Sequence, residues 1–281
     1  MVTAGAPVAG RAARALRDGE LHLWALPGPW PGVPPPAAAE LGAAERERAA
    51  AFVRPEDRLR YVAAHVALRR VLAAYLGLPP GEVGLRRAPC VRCRGPHGRP
   101  VVAPPDGGTH FSLSHTRDLV LIAVAASPVG VDAEAAPSAE TADLCRDALH
   151  PAEREELAAL PDAERAEAFG RLWTRKEAYL KGLGAGLARP PAADYLGERT
   201  DAAAPARPAG WTVRNVPARP GTVAAAALGT AGRAPGELPL VAHELPARCL
   251  DADGAAAVGL IERMSDEGGT REEGDHAGRT E

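Results

Sequence analysis

Two long segments with the period of an amphipathic helix, each followed by a pair of strand-like segments, most strongly limit what this chain can fold into. The first helix, predicted at 56–76, starts after Pro55 and ends before Gly77. The second is predicted at 163–181. This mixed order, without regular alternation of strand and helix, predicts an α+β fold. The strands are predicted at 110–115 and 119–126 after the first helix, and at 210–216 and 221–229 after the second.

Shorter elements and shifts in composition divide the chain further. A strand is predicted at 20–26, and shorter helices at 39–52 and 150–160. We therefore divide the chain into two halves and a tail. The tail is polar, acidic and rich in glycine, so it is predicted to be disordered. The boundaries of these three parts are 1–126, 127–245 and 246–281.

The charge is distributed unevenly along the chain. Residues 1–131 carry 16 Lys and Arg against 10 Asp and Glu, whereas residues 251–281 carry 3 against 9. A basic first half suggests that this half recognises an anion, although an arginine-rich, solvated surface is an equally simple explanation.

Composition predicts a soluble, cytoplasmic protein. The hydrophobic fraction is 46% and the charged fraction 25%, which are ordinary values for a globular protein. No run of eighteen apolar residues predicts a membrane span, and the first twenty residues lack the pattern of a secretory signal. Four cysteines are too few for a disulfide scaffold, which favours a reducing compartment.

One acidic residue lies on the apolar stripe of the second long helix. Phe169, Trp173, Glu177 and Leu180 share one helical face. A buried carboxylate costs several kcal/mol unless it is paired, hydrogen-bonded or bound to a cation. We therefore expect a partner for Glu177. Lys181, one turn later, is one candidate partner.

Two more acids suggest that the partner is a metal ion. Asp132 and Glu134 follow a strongly apolar strand and point to the same face if the chain is extended there. Carboxylates aimed at one point repel each other unless a cation lies between them, and oxygen ligands suit Mg²⁺. Lys176 and Lys181, on the same helix as Glu177, would neutralise the charge of a bound diphosphate.

The segment FSLSHT at 111–116 places two further polar side chains at a strand end. Ser114 and His115 could suggest a nucleophile and its base, but the chain has no G-x-S-x-G turn and no evident third member. We interpret both as phosphate-binding donors, and a structural role for His115 stays open.

Three motifs in this order resemble the 4′-phosphopantetheinyl transferases, in particular the longer, pseudo-dimeric, surfactin-synthetase-activating type. They are FSLSH at 111–115, GVDAE at 130–134 and WTRKEAYLK at 173–181, and the resemblance covers about 20–230. It implies transfer of the phosphopantetheine arm of coenzyme A to a conserved serine of an acyl or peptidyl carrier protein, which releases 3′,5′-ADP. It also implies Mg²⁺, two similar α+β halves related by a pseudo-twofold axis, a cleft between them, and a monomer.

The resemblance also assigns roles to residues of the second half. Asp132, Glu134 and Glu177 match the metal-binding acids, and Glu177 also matches the base that deprotonates the carrier serine. Lys176 and Lys181 match the lysines that hold the diphosphate and stabilise charge on the transferred group.

In the first half, the matched residues would bind coenzyme A. Ser114 and His115 match phosphate ligands, and Arg99, in the GRP element at 98–100, matches a contact near the adenosine. Arg60 matches an arginine that contacts the 3′-phosphate, and Arg48 is a weaker match.

The chain departs from the family pattern at several positions. Glu45 stands where relatives often have a lysine, which puts the adenine-side contacts in doubt, and Tyr61 stands where a small hydroxyl residue is common. Glu153 matches a recurrent acid of the family, but helix capping explains it equally well.

Two other functions are weighed against this one. Another Mg²⁺-dependent diphosphate enzyme would share the acids and lysines without needing a carrier protein. A non-catalytic protein could bind zinc through Cys90, Cys93 and His97 and nucleic acid through the basic helix. The second leaves Asp132, Glu134 and Glu177 unexplained, so we predict no nucleic-acid or membrane partner.

Overall fold

The computed structural model describes residues 16–272 apart from 31, 92, 97, 105–107, 200, 202 and 231–237. The strands are β1 Leu21–Pro27, β2 Leu85–Arg87, β3 Pro100–Val102, β4 His110–His115, β5 Leu119–Ala125, β6 Val129–Ala135, β7 Trp211–Asn215, β8 Thr222–Gly229, β9 Leu240–Glu244 and β10 Thr270–Glu272. The α-helices are α1 Pro35–Ala38, α2 Ala43–Ala50, α3 Pro55–Leu76, α4 Ala139–Cys145, α5 Pro151–Ala158, α6 Asp162–Leu183, α7 Arg248–Asp251 and α8 Gly254–Glu267. The predicted α+β class is confirmed.

The long helix α3 covers the larger sheet. It begins with Pro55 in its first turn, has the acids Glu56 and Asp57 there, and ends at Gly77, whose φ of 65° needs the freedom of glycine. The sheet has the order β10-β9-β1-β5-β4, with β1 antiparallel to β5 and parallel to β9. The apolar side of α3 packs against the sheet in the largest hydrophobic cluster.

The second long helix, α6, lies against a three-stranded antiparallel sheet of order β6-β8-β7. β6 and α6 come unusually close at Gly130, where an added Cβ would lie 1.8 Å from the carbonyl oxygen of Ala178. Only glycine permits this approach. It fixes the acids that follow in β6 beside the last turns of α6.

The two sheets share one connectivity. Each contains three neighbouring strands in which the strand that comes last in sequence lies between the other two and is antiparallel to both. These sets of strands are β1-β5-β4 and β6-β8-β7. A 22-residue helix separates the first strand from the later two in both halves. Side chains join the halves: the hydroxyl groups of Ser112 and Ser114 in β4 accept hydrogen bonds from the amides of Val131 and Ala133 in β6.

The prediction of a disordered tail from 246 onward is wrong for residues 246–272. α8 begins at the cap Asp253, and its Ala257, Ile261 and Ser265 are buried at helical spacing. Cys249 and Leu250 are buried as well. β9 also pairs with β1, so this part of the predicted second half belongs to the first sheet. Residues 273–281 lie outside the described residues.

The main predicted elements are otherwise confirmed, with bounds shifted by a few residues. Sequence patterns missed β2, β3, α4 and the elements after 238, which are short or rich in alanine and glycine. Within the described part of the chain, no helix is both long enough and apolar enough to cross a bilayer.

Candidate active site

Asp132 lies at the centre of the predicted acidic site and is almost fully buried, with 2% of its surface exposed. Its Oδ1 accepts hydrogen bonds from Lys181 Nζ at 2.7 Å and from Ser114 Oγ at 3.0 Å. Its Oδ2 is also buried, and no hydrogen-bond partner for it lies among the described residues. Lys181 therefore forms its ion pair with Asp132, and no salt bridge between Lys181 and Glu177 lies among the described residues.

Glu134 is exposed near the end of β6 and Glu177 is half-buried on α6, and the charge of Asp132 acts on both. Burial raises the pKa of Glu177, and the negative charge of Asp132 raises it further, although Lys181 lowers it. Burial also raises the pKa of Glu134, with further increases from Asp132 and Glu177. Asp132 therefore repels both glutamates, and Glu177 repels Glu134.

These acids suit an oxygen-ligated cation. The buried Oδ2 of Asp132 lacks a donor, and the repulsion among the three acids would be relieved by positive charge. Within the described residues, no group of three or more His, Cys, Asp and Glu side chains is arranged to hold a metal ion, so Asp132, Glu134 and Glu177 do not form a complete metal site by themselves. This arrangement fits Mg²⁺, which keeps several waters and takes further oxygens from a substrate.

Ser114 connects the acids to the first half of the chain. Its Oγ donates to Asp132, and it accepts from the amide of Ala133 at 3.2 Å and from Lys181 Nζ at 3.1 Å. In this structure the hydroxyl therefore orients Asp132 and Lys181. A contact to a coenzyme A phosphate stays a prediction.

His115 lies at the exposed end of β4. Partial desolvation lowers its pKa, and the positive charges of Arg60, His65 and Lys181 lower it further. His115 therefore lies where positive charge accumulates, close to the predicted site.

A large basic pocket opens beside this group, with a volume of about 1090 Å³. Small-molecule pockets usually measure about 300–1,000 Å³, so the pocket suits a ligand of nucleotide size or larger. The basic side chains that line it come from α2, α3, β2, the start of β3 and α6: Arg48, His65, Arg69, Arg86, Arg87, Arg99 and Lys181.

Glu45 is an acid in the wall of this pocket, and it is fully engaged. Its carboxylate is 2.6 Å from Arg69 Nη2 and 2.7 Å from His65 Nδ1, and it accepts from the Gly42 amide at 2.7 Å. Burial alone would raise its pKa, but these contacts lower it to about 2. The acid that replaces the usual lysine is therefore neutralised within the wall, and the pocket remains basic.

Arg99 joins the start of β3 to the end of α6. Its Nη1 donates to the carbonyl of Gly182 at 2.9 Å, and its Nη2 is 3.2 Å from His110 Nδ1. Burial lowers its pKa. The structure places Arg99 in the pocket wall, where it also links the two halves, and its contact near the adenosine stays a prediction.

Lys176 is not at the predicted diphosphate site. Its side chain is 1% exposed, pairs with Glu153 Oε1 at 2.6 Å, and donates to the carbonyl of Asp194. Glu153 also caps α5 through the His150 amide and accepts from the Leu196 amide. The predicted diphosphate-binding role of Lys176 is wrong, because its buried ammonium group already binds Glu153 and the carbonyl of Asp194. The expected capping role of Glu153 is confirmed.

Arg60 is not among the residues that line the pocket. Its Nη2 lies 3.1 Å from Asp57, one turn earlier on α3. Arg48 does line the pocket, with its guanidinium 5.2 Å from the centre of the Phe52 ring.

Sequence reasoning missed Arg86 and Arg87 as pocket residues, because β2 has only three residues and no clear periodicity. For His65 and Arg69 a signal was available, because Arg58, Tyr61, His65 and Arg69 form a polar stripe along α3.

The possible zinc motif gains no support from the described residues. Cys90 is buried and lines the pocket, whereas Cys93 is exposed. His97 lies outside the described residues. No metal-binding group of three side chains includes either cysteine in the part of the chain that the structure describes.

Comparison with known proteins decides the family. A family model described as the 4′-phosphopantetheinyl transferase superfamily matches residues 128–210, which contain the acids of β6 and the whole of α6. The 4′-phosphopantetheinyl transferase HetI of Nostoc sp. strain PCC 7120 is 36% identical over 179 residues, 62% of this chain and 73% of that protein. The chain belongs to the 4′-phosphopantetheinyl transferase superfamily.

Two further relatives agree with this membership. A 4′-phosphopantetheinyl transferase of Bacillus subtilis is 29% identical over 155 residues, 54% of this chain and 64% of that protein. The 4′-phosphopantetheinyl transferase Sfp of Bacillus subtilis strain 168 is 25% identical over 146 residues, 52% of this chain and 61% of that protein. The alignments with these two members of the superfamily span slightly less than two thirds of their length.

Proposed function

We propose that this chain transfers the 4′-phosphopantetheine arm of coenzyme A to a serine of an acyl or peptidyl carrier protein and releases 3′,5′-ADP. One observation carries the proposal: the basic pocket reaches Lys181, and Lys181 is bonded to the buried acid Asp132. A nucleotide-bearing polyanion would lie in the pocket with its diphosphate at the acids. Membership of the superfamily supports the same reaction.

The pocket offers coenzyme A both charge and surface. Its arginines complement phosphate groups, which guanidinium ions bind through paired hydrogen bonds. Phe111, Leu113 and Leu180 add apolar surface next to Lys181, suitable for the pantetheine arm.

Asp132, Glu134 and Glu177 would hold Mg²⁺, with the unpaired Oδ2 of Asp132 as the first candidate ligand. When bound, the ion neutralises the diphosphate and so makes its phosphorus more open to attack. Lys181 adds a second positive charge from the opposite side of Asp132. Lys176 is left out of this group because it pairs with Glu153.

During the transfer, the carrier serine oxygen forms a bond to the phosphorus on the pantetheine side. The bond from that phosphorus to the bridging oxygen breaks, and 3′,5′-ADP departs with the electron pair. Glu177 is the candidate acceptor of the serine proton, because it lies on α6 beside Asp132, and burial leaves its carboxylate poorly solvated.

The shared connectivity of the two sheets supports a pseudo-twofold relation between the halves, with the active site at their junction. Because both halves lie in one chain, we expect a monomer. The low number of cysteines, four in 281 residues, supports a reducing, cytoplasmic location. The basic first half would attract an acidic carrier domain.

The test is intact-mass spectrometry of apo carrier proteins after incubation with the full chain, coenzyme A and Mg²⁺. We expect a mass gain of one phosphopantetheine arm, its loss with EDTA, and its restoration by excess Mg²⁺. An unmodified panel of acyl and peptidyl carriers, under conditions where a known transferase modifies all of them, would overturn the proposal.

A further inference from the structure

We propose that Ser112 is a positioning residue for the transfer: it holds the peptide group of Val131 and thereby fixes where Asp132 presents its carboxylate to Mg²⁺. This inference rests on the proposed function and deepens it. Ser112 lies in the segment FSLSH, but the resemblance assigned it no role. In the part of the chain that the structure describes, its side chain bonds to neither Asp132 nor Lys181.

β4 and β6 belong to different sheets, and serine side chains join them where strand pairing is missing. The hydroxyl of Ser112 accepts from the amide of Val131 at 3.1 Å. Two residues later, the hydroxyl of Ser114 accepts from the amide of Ala133 at 3.2 Å. Alternate side chains of a strand share a face and alternate amides share an edge, so the two spacings match. Both bonds span 19 residues, which sets the two strands in one parallel register.

Asp132 lies between the two amides that these serines hold. Its backbone is therefore fixed on both sides, by Ser112 before it and by Ser114 after it. Ser114 also bonds to the carboxylate of Asp132 directly, whereas Ser112 acts on Asp132 only through the backbone. Mg²⁺ requires nearly ideal octahedral geometry with oxygens at about 2.0–2.1 Å, so even a small displacement of Asp132 should weaken its binding.

The bond from Val131 to Ser112 is buried, so water does not easily replace the hydroxyl. Val131 is fully buried and Ser112 is 8% exposed. The other edge of β6 is already paired with β8. A buried amide without an acceptor is costly. Loss of the hydroxyl therefore favours a shift of β6 that gives the Val131 amide another acceptor, and such a shift moves Asp132.

A direct contact between Ser112 and coenzyme A is the competing explanation, because Ser112 also lines the basic pocket. The two explanations predict different effects on the reaction. Positioning acts through the metal ligands, so its loss raises the Mg²⁺ concentration that half-saturates transfer. Loss of a contact with coenzyme A instead raises KM for coenzyme A, even when Mg²⁺ is saturating.

The test compares Ser112→Thr with Ser112→Val, which have the same shape and differ in whether a hydroxyl is present. Transfer is measured across Mg²⁺ and coenzyme A concentrations, and Mg²⁺ affinity is measured by calorimetry with coenzyme A but no carrier protein. Relative to Ser112→Thr, we expect Ser112→Val to weaken Mg²⁺ binding roughly 10-fold and to change KM for coenzyme A less than about two-fold at saturating Mg²⁺. Ile261→Val, buried against α3, controls for lost stability and should bind Mg²⁺ like wild type.

Equal Mg²⁺ affinity in the two variants, or a change confined to KM for coenzyme A, would overturn the role of Ser112 even though transfer itself continued. Absence of any transfer by wild type would instead refute the proposed function. If Ser112→Val does not fold, amide hydrogen exchange of the wild-type protein decides the matter. Coenzyme A with Mg²⁺ should slow exchange of the Val131 amide more than coenzyme A with EDTA does; equal exchange rates contradict the proposal.

Discussion

The ammonium group of Lys181 lies 2.7 Å from Oδ1 of Asp132, and this ion pair ties the end of α6 to the middle of β6. Ser114 of β4 bonds to both partners, so three elements meet at one buried carboxylate. Lys181 forms its ion pair with Asp132, and its charge offsets only part of the burial and repulsion that raise the pKa of Glu177. The unusual position of Glu177 on an apolar stripe is therefore best explained by a cation that the site is built to receive.

Asp132→Asn should abolish most transfer and leave the fold intact. Asparagine can still accept from Lys181 and Ser114, but it removes a charged ligand for the metal and the repulsion with its neighbours. We expect transfer to fall by roughly 100-fold or more and the free energy of unfolding to change by less than about 2 kcal/mol. Asp143→Asn, at an exposed position on α4, is the control. Near-normal transfer by Asp132→Asn would show that the metal assignment is wrong.

Glu177→Gln separates catalysis from stability at a second acid. Burial and the charge of Asp132 disfavour the carboxylate of Glu177 in the folded state, so neutral glutamine should leave the free energy of unfolding unchanged or raise it. Transfer should fall as sharply as in Asp132→Asn, because the candidate base is gone. Urea unfolding and single-turnover transfer check both statements. A variant that unfolds easily but still transfers would indicate a structural role.

Lys176→Met tests the corrected role of a lysine that the motif assigned to the diphosphate. Removal of Lys176 leaves Glu153 buried without its cation, which should cost about 3–5 kcal/mol of unfolding free energy. The transfer rate per folded molecule should change only a few-fold. The double variant Lys176→Met with Glu153→Gln should recover part of the lost stability. A stable Lys176→Met protein with transfer lost would restore the diphosphate role.

The contrast between the two lysines shows what the sequence could predict. Lys176 and Lys181 occupy one helix five residues apart, and both match the same motif. Helical geometry separates their directions, but only the position of Glu153 and of the loop at Asp194 decides that Lys176 points inward. The acids were predictable because β6 alternates in a strand; the partner of each lysine depends on tertiary contacts between residues far apart in sequence.

The stability of the pocket wall should depend on pH through Glu45. Its pKa of about 2 lies below the ordinary value of 4.5, so its charged form stabilises the fold fully above pH 4.5, and this contribution disappears as the pH falls towards 2. The contribution is at most about 3 kcal/mol. Urea unfolding of wild type and Glu45→Gln from pH 7 to pH 2 should show curves that converge at low pH. Glu47→Gln, exposed on the same helix, should follow wild type. Parallel curves for Glu45→Gln and wild type would contradict the assignment.

Composition misled the prediction for the last segment, and the reason is physical. Residues 251–281 are acidic on average, but averages hide the apolar stripe of α8, which is interrupted by glycines. The stripe is stable only because α3 provides a surface for it, and β9, which leads into this segment, pairs with β1, more than two hundred residues earlier. No local sequence pattern predicts the pairing of β9 with β1.

Ile261→Ala tests whether this segment belongs to the core. The side chain is 1% exposed and lies in the main hydrophobic cluster beneath α3. Its truncation should lower the free energy of unfolding by about 2–5 kcal/mol, in a single cooperative transition. Arg263→Ala, two residues further on the exposed side, should change it by less than about 0.5 kcal/mol. If residues 246–272 were independent of the core, both variants would have the unfolding free energy of wild type. A loss of unfolding free energy in Ile261→Ala alone places α8 in the same cooperative unit as α3, the long helix that lines the pocket.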